Sequence, residues 1–254
     1  MKLKQVLKPL VPKAMVDLRR RRIAARLDAQ FARMTPSEVF TRVYSERLWG
    51  AGLDERDYYS GEGSRNGAMV RPYVAAVRTF LADFATKPDV VDLGCGDFYV
   101  GRQLRDLCGS YIACDVVPDL IARNRRMFGS LGVDFRTVDL VSDELPNGDV
   151  AILRQVLQHL DNAQISLIVP KLQRYRWLVF TEHLPEALSF RPNRDKPIGP
   201  GVRVRHGSGV VLTAPPFNLK SYGRTPLCSV PGAPGVILTL AYRLQSAMTA
   251  SKMF

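Results

Sequence analysis

No apolar run in this chain approaches the roughly 18–20 residues that a membrane-spanning helix requires. Cysteine is scarce. Cys95, Cys108, Cys114 and Cys228 form no C-x-x-C pair and have no zinc spacing, so a disulfide scaffold and a zinc module are excluded. Four such thiols read as free, in a reducing, cytoplasmic compartment. No internal repeat, sustained heptad or glycine period is present, which excludes solenoid, coiled-coil and collagen architectures. The start, MKLKQVLKPLVPKAM, is basic like a signal peptide, but Lys8, Pro9, Pro12 and Lys13 break the apolar region that export needs. Acidic residues are also few, 24 against 36 Lys and Arg. What remains is ordinary: 254 residues and 46% hydrophobic content fit one sizeable folded domain with a small appendage.

The net charge of +12 is unevenly spread. Residues 1–34 hold ten Lys/Arg and two Asp, so the other 220 residues carry only +4. A nucleic-acid enzyme would spread its basic residues over the main domain, so no nucleic acid is expected as partner. Leu3, Val6, Leu7 and Leu10 have helical spacing, and Ile23, Leu27 and Phe31 resume it after the run Arg19–Arg22. A basic amphipathic helix of this kind suits an anionic membrane surface, peripheral to the inner face of the membrane. A solvated helix packed on its own domain, or RNA contact, are the competing readings.

Residues 35–71 are polar and turn-rich, with aromatics scattered through WGAGLDERDYYSGEGSRNG. They read as a loop-rich lid, with Trp49, Tyr59 and Ser60 as lid or substrate residues. From Pro72 the texture changes. PYVAAVRTFLADF reads as a helix, DVVDLG as a strand, Gly101–Leu107 as a helix and SYIACDV as a second strand. Pro118–Phe128 reads as a helix, VDFRTVDL and GDVAILRQVL as strands, Asn162–Leu172 as a helix and RWLVFTEHL as a fifth strand. That alternation predicts a doubly wound α/β domain with a mostly parallel sheet. Residues 185–209 read as loop. GVVLTAPPF and GVILTLAYRL then read as a late antiparallel pair at the sheet edge. Residues 72–245 thus form the main domain and 246–254 a frayed tail.

The first strand ends in Asp92-Leu93-Gly94-Cys95-Gly96-Asp97-Phe98. A strand, a G-x-G turn and a helix make a nucleotide-binding arrangement, because glycine lets the backbone turn tightly and approach a ligand. The second strand ends at Asp115, 21 residues after Gly94, where a carboxylate can accept both hydroxyls of a ribose. Asp92 beside the turn favours a cation over a pyrophosphate, which points to S-adenosylmethionine (SAM), with its sulfonium and ammonium. Asp139-Leu140, after the third strand, is placed to meet the adenine edge, and Val116 follows Asp115 into the same site. Helix capping and turn formation are the plain alternatives for these aspartates.

Asp92-x-Gly94-x-Gly96, Asp115 and Asp139 resemble the successive motifs of the class I SAM-dependent methyltransferases. The element order of residues 72–245 is similar to that family's Rossmann-like, seven-stranded sheet. The resemblance implies SAM as cofactor, S-adenosylhomocysteine as product, and Cys95 within the cofactor turn. Where the family often has a third glycine, this chain has Phe98, which implies a narrower cofactor site or a different start to the next helix. LVPKAMVDLRRRR, WG…YYSGEGS, RQVLQHL, TEHLPEA, PNRDKP and GSGVVLTAPPF are similar to a bacterial subgroup linked to surface-polysaccharide or lipopolysaccharide synthesis. That narrower resemblance implies a sugar hydroxyl of a glycan or glycolipid as acceptor.

A hydroxyl acceptor needs a base, and ligands in open α/β sheets lie at the carboxyl ends of the strands. His159 after the fourth strand and His183 on the fifth are the candidates, with Glu182 or Asp161 to orient a histidine. Arg154 and Gln155 close the fourth strand, where the cofactor's carboxylate or amine could be met. Arg191, Arg194, Lys196, Arg203 and Arg205 crowd a late loop, read either as a solvated face or as contacts to a phosphorylated or acidic acceptor, and His206 in the same loop reads as a lid residue or a third candidate base. No compact carboxylate cluster follows the fourth or fifth strand, so no divalent metal is expected. The rival readings are a small-molecule or RNA methyltransferase and, from another class, a non-catalytic SAM-binding interaction protein.

Overall fold

The computed structural model describes residues 28–51, 58–186 and 190–246. Most of the basic segment 1–34, and all of the tail but Ser246, lie outside the described residues. Among the described residues no helix is long and apolar enough to cross a membrane.

Seven strands form one sheet in the order β3-β2-β1-β4-β5-β7-β6. They are β1 (Val90–Leu93), β2 (Tyr111–Asp115), β3 (Asp134–Thr137), β4 (Val150–Arg154), β5 (Trp177–Leu184), β6 (Gly223–Pro231) and β7 (Val236–Arg243). The first five run parallel, and β7 pairs antiparallel with both β5 and β6. The expected doubly wound α/β sheet is therefore the observed one. Strand order reverses between β1 and β4, and a ligand crevice opens at the carboxyl ends of strands where such a reversal occurs.

The central strands are buried on both faces because helices cover both. Val91, Leu93, Ala151, Leu153 and Phe180 belong to one apolar cluster, with α1 (Pro36–Ser45) and α5 (Asn162–Leu172). Val90, Val150, Ile152 and Val179 belong to the other, with Tyr73, Val77 and Leu81 of α3 (Gly67–Ala82). Helix α4 (Pro118–Phe128) packs on β2 and β3 and divides its buried residues, Leu120 to the first cluster and Ile121 to the second.

Three local expectations fail. The first concerns residues 35–71, where the structure places α1, the short α2 (Glu62–Arg65) and the start of α3. Thr35-Pro36-Ser37-Glu38 carries a helix-start signal that the glycines obscured. The Thr35 hydroxyl accepts from Glu38 N, the Glu38 carboxylate accepts from Thr35 N, and Pro36 opens the helix. Asn66 caps α3 by accepting from Ala68 N at 2.9 Å, so that helix starts five residues before Pro72. The second failure is at Gly101–Leu107, where two 3₁₀ turns replace the expected α-helix.

The third is one strand of the late pair: the antiparallel edge pair is present, with GVILTLAYRL as β7, but its partner is not the expected one. GVVLTAPPF is not a strand. Val210, Leu212 and Phe217 are buried in a turn-rich segment. The edge strand is the proline-bearing stretch Gly223–Pro231, with an irregular register between Pro226 and Cys228. An edge strand tolerates proline because one side of it needs no ladder donor.

Candidate functional site

The turn after β1 lies at the reversal point. Gly94 and Gly96 have φ of 82° and 55°, and Phe98 at the third position has φ of 59°. A left-handed non-glycine residue costs about 1–3 kcal/mol. Here a fully buried ring offsets it: Phe98 packs edge-on or tilted against Tyr111, Phe128 and Phe135 at 4.9–5.6 Å between centroids. The backbone thus keeps the glycine-like conformation without the glycine, and 3₁₀ turns follow in place of an α-helix.

Two buried carboxyls flank this turn. Asp115 accepts from Gly96 N at 3.0 Å and from Val117 N at 3.2 Å. Asp92 accepts from the Tyr111 hydroxyl at 2.9 Å. Neither has an ion-pair partner within reach among the described residues. Burial, opposed by the Tyr111 hydrogen bond and reinforced by Asp115, pushes Asp92 up to about 7. Burial likewise pushes Asp115 up to about 6, against its backbone hydrogen bonds. The third aspartate differs. Asp139 is half-buried and engaged in its own turn, accepting from Val141 N at 2.9 Å, while Leu140 is buried in the core. Val116 presents its carbonyl to the Ser37 hydroxyl of α1 at 3.0 Å.

A cavity of about 30 Å³ lies against the turn, lined by Asp92, Gly94, Cys95, Tyr73 and Arg154 among others. It has room for about one water. The Tyr73 hydroxyl and Arg154 Nε are both buried without a hydrogen-bond partner, and both residues line it. Sequence reasoning missed Tyr73 and Tyr111, which it read only as parts of a helix and a strand. It also missed Asp97, which is buried beside Gly96 and held by Arg65 Nε at 2.8 Å. Asn124 is another: fully buried, it donates to Gly96 O at 2.7 Å.

The tips of β4 and β5 form the second part of the site. Gln155 has φ of 55°, and its N–H donates to Thr181 O at 2.8 Å. His159 sits in a 3₁₀ turn, under the rings of Trp49 at 4.9 Å and Phe40 at 6.3 Å. Its Nδ1 has no partner, while Nε2 faces Gln158 Nε2 at 3.3 Å. Burial, helped by the Lys196 charge, pulls its pKa down to about 3. His183 is elsewhere: its Nε2 bonds to Gly232 O at 2.6 Å, which ties it to the β6–β7 hairpin. Glu182 is buried with Oε2 unpartnered, and burial raises it to about 8. Glu182 accepts from the His183 main-chain N–H and orients neither imidazole through a side-chain hydrogen bond.

The late loop is built rather than solvated. Arg203 is fully buried and donates to Leu160 O at 2.6 Å and to Arg194 O. Asn193, also buried, donates to the carbonyls of Val211, Ala214 and Pro215. Lys196 Nζ donates to His159 O at 3.2 Å, and burial lowers its pKa to about 8. Arg194 and His206 are exposed.

No family model matches the chain. Over 123 residues it is 31% identical to a probable SAM-dependent methyltransferase of Mycolicibacterium smegmatis, a match covering 47% of each protein. It is 29% identical over the same length to a probable SAM-dependent methyltransferase of Mycobacterium tuberculosis, covering 44% of that protein. The chain matches these curated relatives over about half of their length. Among solved structures, the N-methyltransferase NodS of Bradyrhizobium japonicum, with S-adenosylhomocysteine, superposes with a TM-score of 0.57 at 15% identity, over 80% of this chain and 98% of that one. The Synechocystis magnesium protoporphyrin IX methyltransferase gives 0.53 at 17% identity, over 82% and 97%. The fold is that of the class I SAM-dependent methyltransferases.

The residues present suit the cofactor of that fold. A carboxyl on Asp92 and two unpartnered donors, Tyr73 OH and Arg154 Nε, around one cavity complement an α-amino acid group. The left-handed glycine turn and the Asp115 carboxyl beside it are of the kind that a nucleoside-bearing cofactor requires.

Proposed function

We propose that the protein is a SAM-dependent O-methyltransferase acting on a sugar hydroxyl of a glycan or glycolipid. The observation that carries the cofactor reading is the pair of buried carboxyls, Asp92 and Asp115, flanking the left-handed turn with no ion-pair partner among the described residues. That environment favours a ligand bringing positive charge. Asp115 would hold the ribose, Asp92 would face the ammonium, and Tyr73 with Arg154 would meet the carboxylate. Asp139, Leu140 and Val116 would border the base. When bound, the cofactor supplies a methyl group already activated on a sulfonium.

The chain then has to align an acceptor and remove its proton. His159 is the proposed base, oriented by Gln158 and covered by Trp49. With a pKa near 3 it stays neutral at pH 7 and has one nitrogen able to accept once Gln158 yields it, but it holds a proton poorly while covered. Moving Trp49 aside would rehydrate the ring and return its pKa toward 6.5. The aromatic group Phe40, Tyr44, Trp49 and Tyr58 favours stacking on an acceptor ring, and Arg194 and Lys196 favour an anionic acceptor. The Arg-rich segment 1–34 supports a lipid-borne acceptor at an anionic membrane surface.

Two measurements test this reading. Calorimetry with SAM checks the cofactor site, and absence of heat overturns it. Labelled SAM, incubated with separated glycolipid, RNA and small-molecule fractions, identifies the acceptor. Label in the glycolipid fraction supports the sugar, and label confined to another fraction replaces it.

A further inference from the structure

Residues Ser60–Arg65 lie across the strand tips and are tied down at both ends. Ser60 N donates to Asp97 Oδ2 at 3.2 Å, and Asp97 N donates back to Ser60 Oγ at 2.9 Å. Arg65 Nε reaches the same Oδ2 at 2.8 Å, and its guanidinium stacks on Tyr99 at 4.7 Å. On the β4 side, Arg154 Nη2 donates to Gly63 O at 2.6 Å.

The contact with the glycine turn is close. A Cβ on Gly96 would stand 2.6 Å from Ser60 Oγ, and one on Gly63 would overlap the Gln155 amide. The strap therefore rests directly on the backbone that a nucleotide cofactor would approach. The cavity left beside the turn is about 30 Å³. Pockets for ligands of this size are about 300–1,000 Å³. With Ser64 of the strap in its lining, that cavity is too small for a nucleotide-sized ligand.

The strap also connects to the base. Ser60 Oγ is hydrogen-bonded to the Tyr44 hydroxyl at 2.9 Å. Tyr44 meets Trp49 edge-on at 5.2 Å, and Trp49 covers His159 at 4.9 Å. Trp49 Nε1 is in turn bound to Pro200 O at 3.2 Å, and Gly199 N donates to His159 O at 2.9 Å. A shift of Ser60 removes the partner that holds Tyr44, and Tyr44 is one wall of the Trp49 position.

We propose that residues Ser60–Arg65 form a latched gate over the glycine turn, opened by release of the Asp97 contacts, and that opening it lifts the Trp49 cover from His159. The proposal rests on the cofactor reading above and adds a coupling to it: the opening that admits the cofactor also exposes the base. Gly61, with φ of 84°, gives the strap a backbone position about which to swing. Such a gate makes binding wait for opening, so the observed rate levels off as ligand concentration rises.

The test uses the full chain, Arg65→Gln, and Ser60→Ala as the variant that serves if Arg65→Gln does not fold. Amide hydrogen exchange without ligand is followed at Ser60, Asp97 and Gly199, with stopped-flow binding of SAM alongside. The expected result is exchange at least about tenfold faster at Ser60 and Asp97 in the variants, with a smaller rise at Gly199, because Arg65→Gln loses a charge-assisted hydrogen bond to Asp97 and Ser60→Ala loses the acceptor of Asp97 N–H. SAM should bind the wild type at a rate that saturates, and the variants at a rate about tenfold higher at saturation. Unchanged exchange in the variants, with a linear wild-type rate, overturns the gate. Faster exchange at the strap but none at Gly199 overturns the link to His159. Faster exchange with no SAM binding by any of the proteins overturns the cofactor reading and leaves the latch standing.

Discussion

At the tips of β1 and β2 the buried titratable groups are carboxyls, Asp92 and Asp115. At the tip of β4 and in the loop behind it they are the half-buried His159 and Lys196 and the buried Arg203, with buried Glu182 near the end of β5. Desolvation is the first cause of the shift in all six, yet its consequence is opposite for acids and bases. The β1–β2 side tends to hold protons and would give them up to an incoming cation. The β4–β5 side, Glu182 apart, tends to shed them, which leaves His159 able to accept one. A sheet of one chemistry thus presents a cation-seeking half and a proton-accepting half a strand apart, because the reversal between β1 and β4 puts the two sets of tips side by side.

The comparison is sharpest at Arg203. Removing a buried guanidinium leaves the carbonyls of Leu160 and Arg194 unpartnered, so Arg203→Ala should cost about 3 kcal/mol of stability, read from the denaturant midpoint. A loss below about 1 kcal/mol would make the late loop a surface feature after all. On the other half, Asp115→Ala should weaken SAM binding about a hundredfold by calorimetry, since it removes charge-assisted hydrogen bonds to the ribose. Equal binding would detach Asp115 from the cofactor.

The pH profile separates the halves directly. With folded values near 7 and 6, Asp92 and Asp115 keep protons that the unfolded chain has released above about pH 4. Their contribution therefore falls as pH rises from about 4 to 7. Glu182 adds a fall of the same sign up to about pH 8. His159 acts in reverse. With a folded value near 3, it lacks the proton that the unfolded chain carries below about 6.5, so its contribution is lost as pH drops through that range. The two slopes oppose each other between about pH 4 and 6.5. Asp92→Asn should tilt the stability curve upward with pH in that window and His159→Gln downward, measured by urea unfolding at successive pH values. The smallest expected effect is kinetic. His159→Ala should keep SAM affinity and lower turnover about tenfold. Unchanged turnover would return His159 to a purely structural role under Trp49.

Much of the frame was legible from period and spacing. The five parallel strands are short β-branched runs ending in Gly, Asp or a polar residue, and alternation with helical stretches specifies a doubly wound sheet whatever the side chains do. The aspartates at the β1 and β2 tips were legible because a glycine turn after a strand fixes which positions flank it. The edge strand was not. Pro226 and Pro231 argue for turns in any local reading, and only pairing with β7 on one side makes them acceptable. Phe98 was read as a departure, and nothing in the sequence shows that Tyr111, Phe128 and Phe135 converge to hold it in a glycine conformation.

By itself the sequence determined the order of elements, the charged N-terminal segment and the residue types at the first two strand tips, because these follow from local pattern and fixed intervals. Tertiary structure decided which histidine lies among the converging residues, that Arg203 is buried rather than solvated, and that Ser60 rests on Gly96. Those outcomes depend on contacts between segments tens of residues apart, whose burial and pairing no local spacing encodes.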